Sequence, residues 1–301
     1  MRRSVWCKTA AGLLVACVLG CPAREPVLLG PTRLTEEPID VIEPAFSPDG
    51  KFIACTFKLA DREHHITVVE IETGSKRRLT SGATLKSSPA WSPDGKRIAF
   101  KSTRDGKSNL YVVSAETGEG DGSSPAQALT RHASLNGAPA WSPDGQFLAF
   151  ESDREGRFDI WVMNADGGNP HPLTKPASHD TGPAWSPDGK LIAFSSERSG
   201  SRDIWIIGPD GSWPRRITAT NDAREWAPTW TPDSAQIAYA CADRIDQTEL
   251  WKVFADGSKP SRVLAASATL RDPAVSPDGK WLAFSSSHKG TYDLYLLKLK
   301  D

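Results

Sequence analysis

Hydrophobic and polar positions along this chain alternate in a unit that recurs six times. Each copy opens on a proline, continues through a small residue and an apolar one, turns on Ser/Thr-Pro-Asp, and leaves in an apolar run. The copies begin at Pro44, Pro89, Pro139, Pro183, Pro228 and Pro273. In the second copy, Ser92-Pro93-Asp94-Gly95 separates Ala90-Trp91 from Arg97-Ile98-Ala99-Phe100. Proline pre-sets φ, aspartate caps the turn through its side chain and glycine accepts positive φ, so the unit predicts strand, turn, strand. A further apolar run follows in every copy: Asn109–Val113, Asp159–Met163, Asp203–Ile207, Glu249–Val253, Asp293–Leu297 and the looser His65–Val69. Rich in β-branched and aromatic residues and bounded by turn formers, these predict third strands. Short fourth strands end in Leu79-Thr80, Leu129-Thr130, Leu173-Thr174 and Ile217-Thr218.

Four antiparallel strands per repeat, with repeats 44 to 50 residues apart, predict an all-β fold, a six-bladed β-propeller. The sixth copy stops at Leu299-Lys300-Asp301 after its third strand. Thr32-Arg33-Leu34-Thr35 matches the Leu-Thr ending and is expected to complete that blade. Such closure removes an exposed sheet edge. The repeated Trp and Phe positions read as packing between blades.

Outside the repeats there is no room for another folded domain. Residues 1–20 read as an export signal: Arg2, Arg3 and Lys8 precede a small apolar stretch too short to span a bilayer. Residues 21–301 are then the propeller. Val18-Leu19-Gly20-Cys21 resembles the lipobox of bacterial lipoproteins, which implies lipidation at Cys21; Leu14-Val15-Ala16-Cys17 is the alternative site. The formal charge is −1, and losing the signal removes three positive charges, so no basic stripe marks a nucleic-acid partner. Cys55 and Cys241 fall in non-adjacent blades, which argues against a disulfide; both are expected to be buried thiols.

The phrase Pro-Ala-Trp-Ser-Pro-Asp-Gly-Lys, followed by Asp-Ile-Trp and Ala-Asp-Gly-Gly, resembles the repeat of the TolB-type propellers. The likeness covers about residues 27–301 and implies a six-bladed ring in the bacterial envelope. In that family the channel mouth receives peptide segments of partner proteins. The short stretch between Cys21 and Thr32 leaves no room for the N-terminal α/β domain of TolB itself.

Turns between first and second strands are uniform, so variation concentrates at the other face, in the residues just before each repeated proline. Glu43, Asn136, Asp180, Glu225, Arg271 and Asp272 are expected to ring the channel mouth there, with Thr181 beside Asp180. Varied polar groups on a rigid scaffold are the default binding-site hypothesis. Arg131 to Pro139 resembles a family segment in which a histidine holds the partner, which implies that role for His132. The carboxylates would favour basic or amine-bearing groups. No catalytic residue and no cofactor is assigned: there is no Gly-x-Ser-x-Gly elbow and no phosphate loop. The expected partners are a peptide or protein segment of an envelope protein and, through the lipid, the membrane; the chain is expected to be a monomer in the periplasm, on the outer membrane.

Two rival readings carry their own residues. His64, His65, His132, His179 and His288 map to the variable face. Oligogalacturonate lyases, propellers with related repeats, hold a metal with histidines there, which implies a metal-dependent carbohydrate-active enzyme. No metal-ligand spacing such as His-x-His accompanies them. A purely structural envelope scaffold is the other reading. Arg104…Asn109, Arg154…Asp159, Arg198…Asp203, Arg244…Glu249 and His288…Asp293 suggest local bridges across a hairpin base. The extra residues of the second copy, Glu116–Pro125, read as a tolerated insertion.

Overall fold

The computed structural model describes residues 30–119, 125–175, 178–220, 223–242, 248–265, 267–287 and 290–299. Six four-stranded antiparallel sheets make the six blades of a propeller. Blade 4 is typical: Asp180–Trp185 innermost, then Ile192–Ser196, Asp203–Ile207 and Arg215–Arg216. Blade 6 consists of Leu270–Val275, Trp281–Ser286, Asp293–Lys298 and, from the other end of the repeats, Thr32–Arg33. The apolar core lies between neighbouring blades, around fully buried Phe100, Phe150, Phe194 and Phe284.

Closure uses the same chemistry as blades 1 to 4. Where a fourth strand ends in Leu-Thr or Ile-Thr, the threonine hydroxyl accepts a third-strand N–H: Thr130 from Leu110 at 2.9 Å and Thr174 from Ile160 at 3.0 Å. Thr35 does this for Leu294 at 3.0 Å and donates to Asp293 at 3.0 Å. Leu34 N–H adds a bond to the Leu294 carbonyl at 2.8 Å. The expected N-terminal closure is therefore present.

A bulge sits in the innermost strand of every blade. In blade 2, Ser87 faces Lys101 and Ala90 faces Ala99, so Ser88 and Pro89 together oppose Phe100. The residue before the proline is left-handed in all six blades: Glu43, Ser88, Ala138, Gly182, Ala227 and Asp272, with φ between 44° and 62°. A left-handed non-glycine residue costs roughly 1–3 kcal/mol. The proline that follows has no N–H to lose from the ladder, which is why bulges tolerate it.

Neighbouring blades are stitched by repeated contacts. The indole N–H of Trp91, Trp141 and Trp230 donates to the carbonyls of Ala45, Ala90 and Ala184 in the preceding blade, at 3.0–3.2 Å. Each Asp of the Ser-Pro-Asp-Gly turns is held below the usual carboxylate range, first by the hydroxyl two residues earlier, as Ser92 does for Asp94. At the third-to-fourth-strand turns a glycine abuts the preceding blade: a Cβ on Gly167 (φ 91°) would stand 2.3 Å from the Leu129 carbonyl oxygen, and one on Gly118 2.6 Å from that of Leu79.

Several sequence expectations need correction. Arg104, Arg154 and Arg198 do not bridge to the residue five positions on. Arg198 pairs with Asp180 at 2.6 Å, while Asp203 pairs with Arg216 at 2.9 Å. Arg154 donates to Asn136 at 3.0 Å. Each guanidinium lies over its blade's third-strand aromatic, within 4.3–4.8 Å for Arg104, Arg154 and Arg198, so cation–π contact directs it inward. Arg104 meets Glu119, buried against blade 1, so the start of the insertion is packed rather than merely tolerated; residues 120–124, Arg244 and His288 lie outside the described residues. Cys55 is buried, its thiol pushed up by that burial, Cys241 is half-buried, and neither forms a disulfide.

Gly167→Ala is expected to destabilise the propeller by about 2–3 kcal/mol, because strain and a backbone clash coincide there. Urea unfolding followed by tryptophan fluorescence checks this; Gly106, which faces open space, should lose less when changed to alanine.

Candidate functional site

Three of the expected rim residues are inside the protein. The third residue before each repeated proline is paired to the second strand and faces the blade interior. Asn136, Asp180 and Glu225 are therefore only 1%, 0% and 0% exposed. Asn136 donates to the Ser108 and Ser134 carbonyls and to Asn109 Oδ1, and accepts from Arg154. Asp180 accepts from Ser178 Oγ at 2.9 Å beside its Arg198 pair. Glu225 accepts from Thr218 and Thr220. The same position in blade 2 holds Lys86, buried, with its Nζ on the Gly82 carbonyl at 2.5 Å; burial pushes it down to about 8.

The residues nearer the proline do reach the channel. Glu43 spans blades 1 and 2: its carboxylate accepts the Ser88 N–H at 2.7 Å and the Thr56 hydroxyl at 2.8 Å. Arg271 Nε lies 2.9 Å from Asp272, and burial raises that carboxyl against the arginine's pull. Thr181 is half-buried, opposite Ser195. His132 is exposed and turned into its own loop, its Nδ1 2.9 Å from Ser134 Oγ.

A cavity of about 400 Å³ opens among these residues. Glu43, Asn136 and Arg271 line it, while Asp180, Thr181, Glu225, His132 and Asp272 do not. Sequence reasoning missed Lys101 and Glu151, which face Ser87 and Gly137 from the second strands. Their signal was available: each is a charge within an otherwise apolar strand. Glu151 accepts the Gly182 N–H at 3.2 Å. Burial raises its carboxyl, and Lys101 opposes that rise. Gly137 makes room for the crossing, since a Cβ there would stand 2.7 Å from Glu151 Oε1. Lys101 makes no ion pair among the described residues. Leu85, Leu135 and Phe158 give the mouth an apolar rim, and Leu135 is 41% exposed.

Among the described residues the histidines do not form a cluster. His64 lines the cavity, His65 points to the other side against Glu63, and His179 packs on Phe158 at 5.3 Å. Among the described residues no group of three or more His, Cys, Asp or Glu is placed to hold a metal.

Glu225 gives a test of this placement. Burial pushes its carboxyl up to about 7 from an ordinary 4.5. Between those values the folded protein holds a proton that the unfolded chain releases, so this group's stability is full below 4.5 and falls as pH rises through 7. The change is on the order of 3 kcal/mol. Glu225→Gln should remove that loss, gaining on the parent chain between pH 5 and pH 7.5 in urea unfolding; parallel curves would place the carboxylate in water.

The comparisons with known proteins agree with this geometry. Over 87 residues the chain is 34% identical to the uncharacterized peptidase YuxL of Bacillus subtilis (strain 168), 27% of this chain and 13% of that one. It is 32% identical over 87 residues to the Tol-Pal system protein TolB of Francisella tularensis subsp. mediasiatica (strain FSC147), 28% of this chain and 19% of that one. The matched stretch thus spans less than a fifth of either relative. The structure of putative TolB from Agrobacterium tumefaciens superposes with a TM-score of 0.71 at 24% identity, over 89% of this chain and 93% of that one. The model of the TolB beta propeller domain matches residues 32–134 and 121–300. The chain belongs to the TolB β-propeller domain family.

Proposed function

We propose that this protein is a non-catalytic binding module of the bacterial cell envelope. It receives a peptide segment of a partner protein at the channel mouth. The observation that carries this reading is the cavity between blades 1, 2, 3 and 6: an apolar rim of Leu85, Leu135 and Phe158 above charges that the fold itself holds in place. A rim of that kind takes apolar side chains, and a pre-positioned polar floor orients the polar groups of the entering segment. Family membership supports a place beside the TolB proteins.

The floor differs from the acidic mouth expected from sequence. Lys58, Lys101 and Arg271 stand with Glu43 and Glu151, so both signs are present. Glu43 and Glu151 are engaged by backbone N–H groups of the next blade. Lys101 is the charge best placed to meet an acidic group of the incoming segment. Export and lipidation at Cys21, which would put the module in the periplasm on the outer membrane, rest on the sequence, since residues 1–29 lie outside the described residues.

In-cell photocrosslinking tests the reading. With p-benzoylphenylalanine in place of Leu135, irradiation should give one discrete adduct with an envelope protein, and Lys101→Glu should reduce it at least fivefold. The same group in place of Glu36, on the outer edge of blade 6, should give none. No adduct at Leu135, or one indifferent to Lys101→Glu, would sink the proposal.

A further inference from the structure

On the face that carries the Ser-Pro-Asp-Gly turns, two gaps between blades are crossed by an arginine. Arg77, in the fourth strand of blade 1 opposite Val68, donates Nη1 to the Glu116 carbonyl and Nη2 to the Ala115 carbonyl of blade 2, both at 2.7 Å. Arg215, opposite Ile206 in blade 4, donates to the Ala255 carbonyl of blade 5 at 2.7 Å. In blade 3 the residue at that register position, opposite Val162, is His171. It is exposed, and its Nδ1 lies 3.0 Å from the Asn169 carbonyl of its own blade. It does not cross.

What remains between blades 3 and 4 is a cavity of about 580 Å³, against about 410 Å³ where Arg77 stands. The two are built alike, position for position. Phe147, Val162 and Trp185 replace Phe52, Val68 and Trp91, and Pro209 and Asp210 replace Ala115 and Glu116. No lysine or arginine lines the larger cavity, while Asp144, Asp188 and Asp210 do. Each spends Oδ1 on its own turn: Asp144 on Ser142 and Gln146, Asp188 on Ser186 and Lys190, Asp210 on Ser212. Asp188 Oδ2 also has the Lys190 ammonium at 3.5 Å, from a side chain that is 78% exposed. All three carboxyls are held below the usual range by those hydroxyls and N–H groups, so they are ionised at neutral pH.

We propose that the gap between blades 3 and 4 binds an arginine side chain presented by another polypeptide, its guanidinium taking the place that Arg77 and Arg215 take at their own junctions. The flat cation suits the aromatic lining of Phe147 and Trp185. Its fork of donors suits the carboxylates and the turn carbonyls of Pro209 and Asp210, which occupy the positions of Ala115 and Glu116. This site lies on the face opposite the channel mouth and is independent of what binds there.

The test is an NMR titration of the uniformly ¹⁵N-labelled protein with N-acetyl-Gly-Arg-Gly-amide. Its citrulline and lysine counterparts serve as controls. Saturable shifts should centre on the Trp185 indole and on Asp188 and Gly189, with binding at least tenfold weaker for both control peptides. His171→Arg should fill the gap from within, as Arg77 does, and weaken binding at least tenfold while leaving the spectrum otherwise folded. Arg77→Ala should open a second, equivalent site between blades 1 and 2. Scattered shifts, equal binding of the citrulline or lysine peptide, undiminished binding by His171→Arg, or a single site in Arg77→Ala would each overturn the proposal.

Discussion

The molecule depends on six left-handed residues, each just before a proline in an innermost strand. A residue at positive φ followed by a ring without an N–H breaks the ladder at one fixed point per blade. Of the three residues before each proline, the first turns into the blade, and Glu43, Ser87 and Arg271 among the other two line the channel cavity. The five that are not glycine cost free energy, and the amide at the break needs a partner. Carboxylates from the preceding blade supply that partner at two positions: Glu43 for Ser88 and Glu151 for Gly182. The same bonds that stabilise the bulge therefore join blades and shape the mouth.

Rigidity at the mouth comes from that economy. Glu43 cannot serve as a loose ligand for a partner, because its oxygens are occupied by Ser88 and Thr56. Lys101 and the apolar rim are what the frame leaves available. On the opposite face, the Ser-Pro-Asp-Gly turns repeat with little change, and specificity comes instead from one register position that is arginine in two blades and histidine in another.

The periodic features of the fold were legible in the sequence, because repetition made each strand and turn visible six times. Closure by Thr32–Thr35 was legible for the same reason: Leu34-Thr35 matches Leu129-Thr130, and both threonines bond the same third-strand N–H. The bulge is written in the proline at strand centre, but a proline there reads first as the start of a phrase. Reading it that way moves Asn136, Asp180 and Glu225 to the rim, whereas strand pairing takes them inward. Lys101 and Glu151 stand out as charges that follow the apolar runs Ile98–Phe100 and Leu148–Phe150, but those runs read first as core. The partners of Arg154 and Arg198 could not be read from spacing, since a stacked guanidinium reaches 18 residues back rather than five on.

Amide hydrogen exchange measured residue by residue tests the central claim most directly, that carboxylates of one blade hold the left-handed residues of the next. The Ser88 and Gly182 amides should be strongly protected, and Glu43→Gln should speed exchange at Ser88 by at least tenfold while leaving Gly182 unchanged. Fast exchange at both sites in the parent protein, or a Ser88 amide indifferent to Glu43→Gln, would contradict it.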